Sequence, residues 1–198
     1  MGTTKDAIAN LVLANLEISR EITSVDTEQS AEASLIRRHY DRSLQKVLED
    51  FPMAESTRYA VLGLVATAPT DDWGFAFRYP SDCVFARRLV TVLGREEPNP
   101  PPFKVGSEAQ GLLLYTNINP ATLEYTFLLT DQKLFSSAFE EALAWHIAAK
   151  CTSLSRMKDA KKIAMAMYQS CLTQSDLKTA REQQQQPELD SAMMRARI

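Results

Sequence analysis

LEYTFLLTDQKLFSSAFEEALAWHIAAKC, residues 123–151, changes its period part-way along. Thr122, Glu124 and Thr126 alternate with Leu123, Tyr125 and Phe127, the two-residue period of a strand with one buried face. Beyond them Leu134, Phe135, Ala138, Phe139, Ala142, Leu143, His146 and Ile147 recur at the helical interval and give a wide apolar face. Asp131 stands where a helix cap is expected. A strand running straight into a helix places a sheet beside helices, and the flanking sequence decides how much of each there is.

Upstream, Gly111–Ile118 and Ala121–Leu129 read as strands parted by Asn119-Pro120, a strong turn signal. Phe103–Val105 precedes them, after an open loop at Glu96–Pro102 that holds four prolines. WGFAFRYPSDCVFARRLV (73–90) reads as an extended segment, a turn at Pro80 and a second extended piece. Residues 54–67 mix Ala, Leu and Val with Tyr59 and read as a short helix or an irregular segment.

Further out the helical period dominates. Thr3 or Thr4 caps a first helix carrying Ile8, Leu11, Val12 and Leu16. Ser30 caps a second, on which Ile36, Tyr40, Leu44, Val47, Leu48 and Phe51 form one stripe and Pro52 ends it. Ser155 is the expected cap of a fourth, with Ala160, Ile163, Ala164, Met167, Cys171 and Gln174 along its seam. The predicted class is mainly α: a bundle of about four helices over 1–83 and 130–183, a small antiparallel sheet inserted at 84–129, and an extended tail at 184–198.

The chain has 198 residues, 45% hydrophobic and 24% charged, with a net charge of −3. That balance argues against bulk attraction to nucleic acid or to an anionic membrane. No stretch approaches the ~18 consecutive apolar residues of a membrane span, and no secretory leader is expected. Cys83, Cys151 and Cys171 match no metal knuckle or redox pair and read as reduced thiols among apolar neighbours.

No constellation for catalysis emerges, so no enzymatic activity, cofactor or metal is expected. His39 and His146 lie on separate helices, and neither has a second ligand at zinc spacing. Glu140 and Glu141 are adjacent on a helix, so they point ~100° apart and form no catalytic carboxylate pair. The six glycines form no phosphate loop. In Ser81-Asp82-Cys83 the aspartate reads as a turn residue bonding backbone N–H groups. Arg37-Arg38 and Arg87-Arg88 lack the density of a DNA-reading surface and suit solvated faces or subunit salt bridges. The end of the chain, PELDSAMMRARI (187–198), cannot build a core alone, so it is either disordered or docked into a partner's groove.

SAEASLIRRHYDRSLQKVLEDFP (30–52), WGFAFRYPSDC (73–83) and LEYTFLLTDQKLFSSAFEEALAWHIAAKC (123–151) follow one another in an order that resembles tail tubular protein A, the head–tail adaptor family of short-tailed bacteriophages. The likeness rests on His39-Tyr40-Asp41 before Phe51-Pro52, on Trp73 to Tyr79-Pro80 and Asp82-Cys83, and on Phe139 to Trp145, and spans roughly residues 5–180. The chain departs from the family at Met53-Ala54, where Trp-Asn is frequent, and at His146, where arginine is common.

The resemblance implies a virion protein of the neck or tail, made in the host cytoplasm. It implies a twelve-fold ring under the portal protein, with helices as the ring body and inserted strands toward the distal tail (nozzle) protein. Genomic DNA passes through the channel without sequence-specific contact. The implied portal-docking residues are Met193, Met194, Arg195, Arg197 and Ile198. Subunit contacts are expected at Arg37, Arg38, Arg42, Arg87 and Arg88, and distal tail contacts at Asn117, Asn119 and Pro120. A head-completion or neck connector of another tailed phage is the alternative; a cell-wall-cleaving entry factor fits less well.

Overall fold

The structure is a computed structural model; it describes residues 4–51, 53–91, 99–108 and 111–183, with backbone alone for 176–183. The fold is α+β rather than mainly α: 43% of the chain is helical and 24% is strand, in two antiparallel sheets. The chain divides into two compact units, Met53–Asp131 and the segments that flank it.

The flanking segments hold α1 (Lys5–Asn15), α2 (Ala31–Asp50), α3 (Ser137–Lys150) and α4 (Ala160–Gln183). Thr4 caps α1 by accepting from Ala7 N, and Ser30 caps α2 by accepting from Ala33 N. α3 packs against the other three helices. Its Ala142, Leu143, Ala144, Ile147 and Ala148 are all fully buried, and the alanines let neighbouring backbones approach closely. Phe139 anchors this core, edge-on to Phe51 at 5.6 Å and to Phe135 at 4.8 Å between ring centroids.

Two helix starts fall later than their caps predict. A 3₁₀ turn, Gln132–Leu134, follows Asp131, and Ser136 caps α3 by accepting from Phe139 N. Ser155 accepts from Met157 N and donates to Leu16 O (3.0 Å), so its hydroxyl ties two loops together ahead of α4. The seam of α4 is also rotated from the expected one. Ala160, Ala164, Tyr168 and Ser175 are buried, whereas Ile163 and Met167 stand exposed. The tyrosine ring is the bulkiest group on the helix, and burying it sets the rotation.

The polar stretch between α1 and α2 is stitched rather than loose. Asn10 brackets Ile22 by accepting from its N–H (2.8 Å) and donating to its carbonyl (3.0 Å). Asp6 accepts from Val25 N at 2.7 Å. These bonds press Ile22 and Val25 into the core.

The inserted unit begins far upstream of residue 84. Its strands are β1 (Thr57–Val61), β2 (Leu64–Thr67), β3 (Phe75–Arg78), β4 (Cys83–Val90), β5 (Phe103–Glu108), β6 (Gly111–Thr116) and β7 (Thr122–Phe127). The first sheet has order β1-β7-β4 and the second β2-β3-β6-β5. Residues 54–67, which lack a helical stripe, are therefore a 3₁₀ turn and two strands. β1 forms because Ala60 and Leu62 face inward and because β7, sixty residues on, supplies its ladder: Tyr59 pairs with Glu124 and Val61 with Thr122. The sheets share one core of Leu62, Phe77, Leu89, Leu114, Leu123 and Tyr125. On the other face of the four-stranded sheet, Trp73 packs on Ala76, Leu113 and Tyr115.

Candidate functional site

Among the described residues no group of three or more His, Cys, Asp or Glu side chains is placed to hold a metal ion. No described helix is long and apolar enough to cross a membrane. The titratable groups that do meet are engaged with one another inside each unit.

In the helical unit His146 of α3 is almost fully buried, with its ring 5.0 Å from that of Tyr168 on α4. Tyr168 donates to Asp50 of α2 (2.9 Å), and Lys46 pairs with the same carboxylate at 2.7 Å. Desolvation, and then the nearby Lys150 charge, pull the His146 pKa down to about 4, so the ring is neutral near pH 7. Burial, and then the bond to Asp50, push the Tyr168 phenol well above its usual range. A neutral imidazole packed beside an un-ionised phenol that bonds Asp50 joins three helices. The histidine thus sits on the apolar face where its spacing places it.

In the β unit Asp82 joins strands instead of closing its own turn. It ion-pairs with Arg58 at 2.7 Å and accepts from Tyr125 OH at 3.1 Å, while the Arg58 guanidinium lies 3.5 Å over the Phe127 ring. The Cys83 thiol donates to Tyr79 OH (3.1 Å), and burial raises its pKa. A thiol that is both protonated and donating is a poor nucleophile. All three cysteines are unpaired; Cys151 is buried, while Cys83 and Cys171 are only partly so.

The arginines proposed for subunit contacts separate into two kinds. Arg37 donates to Val25 O (2.8 Å) and Glu28 O (2.7 Å) and so holds the α1–α2 connection. Arg88 pairs with Glu124 at 2.6 Å, and Arg87, half-buried, donates to Thr126 Oγ1 at 2.7 Å. Burial lowers the Arg87 pKa. Of the five, only Arg38 and Arg42 are exposed, one turn apart on α2 and open to a partner.

The distal contact set also divides. The Asn117 side chain accepts from Gly74 N (2.7 Å) and donates to Asp72 O (3.4 Å), bracing the loop before β3. Asn119 and Pro120 are exposed at the β6–β7 turn, and the peptide bond between them is cis. Met193, Met194, Arg195, Arg197 and Ile198 lie outside the described residues, as does Pro98 of the Glu96–Pro102 loop.

Sequence reasoning missed one surface. Where β1 turns into β2, Val61 is 72% exposed, and Tyr59, Leu64 and Val65 are exposed around it. Val61, Leu64 and Val65 border an open groove of about 690 Å³ that Arg78 to Ser81 also line. The available signal was the alternation of Tyr59 and Val61 with Ala60 and Leu62, too short to register beside a helical reading.

No protein-family model matches the chain, and comparison with curated proteins yields no match.

Proposed function

We propose that this chain is a structural virion protein, a head–tail adaptor that acts by contact with other proteins and not by catalysis. In this reading copies of the chain close a ring, expected to be twelve-fold, between the portal protein and the distal tail, and genomic DNA slides through its channel. The observation that carries the proposal is the insertion of a β unit, Met53–Asp131, into a helical unit whose two halves flank it. A ring member between two different assemblies needs surfaces of different kinds, and two units with separate cores supply them. The order of the three quoted sequence pieces supports the same reading.

Physical considerations agree with it. A closed ring needs two unlike lateral faces on each copy, a heterologous contact. Arg38 and Arg42 on α2 and the exposed Ile163 and Met167 on α4 are the groups of the helical unit best suited to such faces. A net charge of −3 suits a channel through which DNA must move, since a strongly basic lining would hold it by counterion release.

The test is co-sedimentation of the purified chain with rings of the portal protein from the same genome, repeated after deleting Pro187–Ile198. The expected result is that the full chain sediments with the rings and the truncated chain does not. Equal sedimentation would remove the docking role of the tail. Absence of binding by the full chain would remove the adaptor reading.

A further inference from the structure

The four outer strands of the two sheets are not alike. β4 is interrupted by two register shifts and carries Arg87 and Arg88, and β5 carries Lys104 and Glu108. β2 has one register shift at Leu64/Ala66. Such irregularities and charges keep a sheet edge from pairing with another chain. β1 has an unbroken register along its whole length and ends in the most exposed large apolar side chain of the described residues, Val61. Its one charged residue, Arg58, is committed to Asp82 and to the Phe127 ring.

The direction of the open backbone groups follows from one bond. Leu62 N donates to Ala121 O at 2.9 Å, which makes Leu62–Ala121 a bonded pair of the β1–β7 ladder. Alternation then makes Ala60–Leu123 and Arg58–Tyr125 the other bonded pairs, and turns the N–H and C=O groups of Tyr59 and Val61 to the outer side. At the end of this edge lies the groove, lined by Leu64, Val65 and Arg78. Arg78 is exposed and has no carboxylate partner among the described residues.

We propose that the β1 edge accepts an extended segment of another protein as an added strand, with apolar residues against Val61 and Leu64 and an acidic residue opposite Arg78. Strand addition draws affinity from main-chain bonds and selectivity from alternate side chains, and β1 offers both. Charge decides the class of occupant. A second copy paired edge to edge would set β1, whose only charged residue is Arg58, opposite Arg78, whereas an acidic apolar strand neutralises that cation. The inference does not depend on the adaptor reading, since it concerns only the inserted unit.

The experiment uses the full chain and three labelled short peptides followed by fluorescence anisotropy: alternating Val and Thr with one central Asp, the same with Lys for Asp, and the same with Pro at alternate positions. The Asp peptide should bind saturably, the Lys peptide roughly five- to tenfold more weakly, and the Pro peptide not at all. Val61→Pro removes an outward N–H while leaving the β7 ladder intact, and should abolish binding in a chain with unchanged circular dichroism. Arg78→Glu should reverse the preference, so that the Lys peptide binds better. Equal binding of the Asp and Lys peptides by the native chain, full binding by Val61→Pro, or no saturable binding of any peptide overturns the proposal. So does self-association of the native chain that Val61→Pro abolishes, because the occupant would then be a second copy.

Discussion

The helical unit and the inserted β unit solve the same problem of burial in opposite ways. In the helical unit even a polar connection is drawn inward: Asp6, Asn10 and Arg37 bond the backbone between α1 and α2 and seat Ile22 and Val25 in the core. Its central helix, α3, is buried on almost every side. The β unit closes one core between two sheets yet leaves Tyr59, Val61, Leu64, Phe85 and Leu112 exposed. Two short sheets have more edge and outer face than their own residues can cover. The helical unit exposes Leu11, Leu134, Ile163 and Met167 only singly along its helices, whereas the β unit gathers exposed apolar side chains at the β1–β2 corner.

The contrast breaks first at Phe139. Replacing it with alanine removes two edge-on ring contacts from a fully buried site and should cost about 3–5 kcal/mol, read as a lower urea midpoint of the helical signal. A value within ordinary surface effects would mean that α3 is not the anchor of its unit.

Acid should act on the helical unit next. The His146 pKa is about 4 in the folded chain against about 6.5 when exposed, so between these values the unfolded chain binds the extra proton. Stability from this group is therefore present above pH 6.5 and falls as the pH drops toward 4, by about 2 kcal/mol at pH 4.5. A His146→Leu variant should lose that part of the pH dependence. The same slope in variant and native chain would show that His146 is not the sensor.

The β unit should be sensitive to overfilling as well as to emptying. A Cβ at Gly106 would lie 2.7 Å from Tyr115 Cε2, so Gly106→Ala must displace the ring that bonds Glu108. A loss of about 1–3 kcal/mol, with a changed tyrosine near-ultraviolet signal, is expected. Arg37→Ala should cost about 1–3 kcal/mol and speed amide exchange across residues 17–29, because two backbone carbonyls lose their donor. Ser30→Ala, which removes the α2 cap and the hydroxyl that bonds Glu28, should cost about 1 kcal/mol.

The two units also differ in how far they could be read from sequence. α1 and α2 begin at Thr4 and Ser30 as expected, because a cap followed by a stripe is a local signal. α3 and α4 start later than their first hydroxyl or carboxylate suggests, because Ser136 and a 3₁₀ turn intervene in one case and Ser155 bonds another loop in the other. The β7 sequence alternates strictly, and β3, β4 and β6 show as apolar runs bounded by turn prolines. The alternation in β1 is short and β2 has none, and the mainly-α expectation failed there: their stability comes from pairing with β7 and β3, which no local window contains. The arginines illustrate the same limit. Nothing in the spacing of Arg37 or Arg88 tells that their partners are two loop carbonyls and Glu124. The exposed corner at Val61 was invisible for the same reason that β1 was.

In the proposed adaptor role, copies of this chain close a ring against the portal protein. Cryo-electron microscopy of the purified chain mixed with rings of the portal protein from the same genome tests it most directly. The expected result is a second ring beneath the portal, with one copy per portal subunit and the helical unit forming its wall. Portal rings left bare at saturating concentrations of the chain would contradict it.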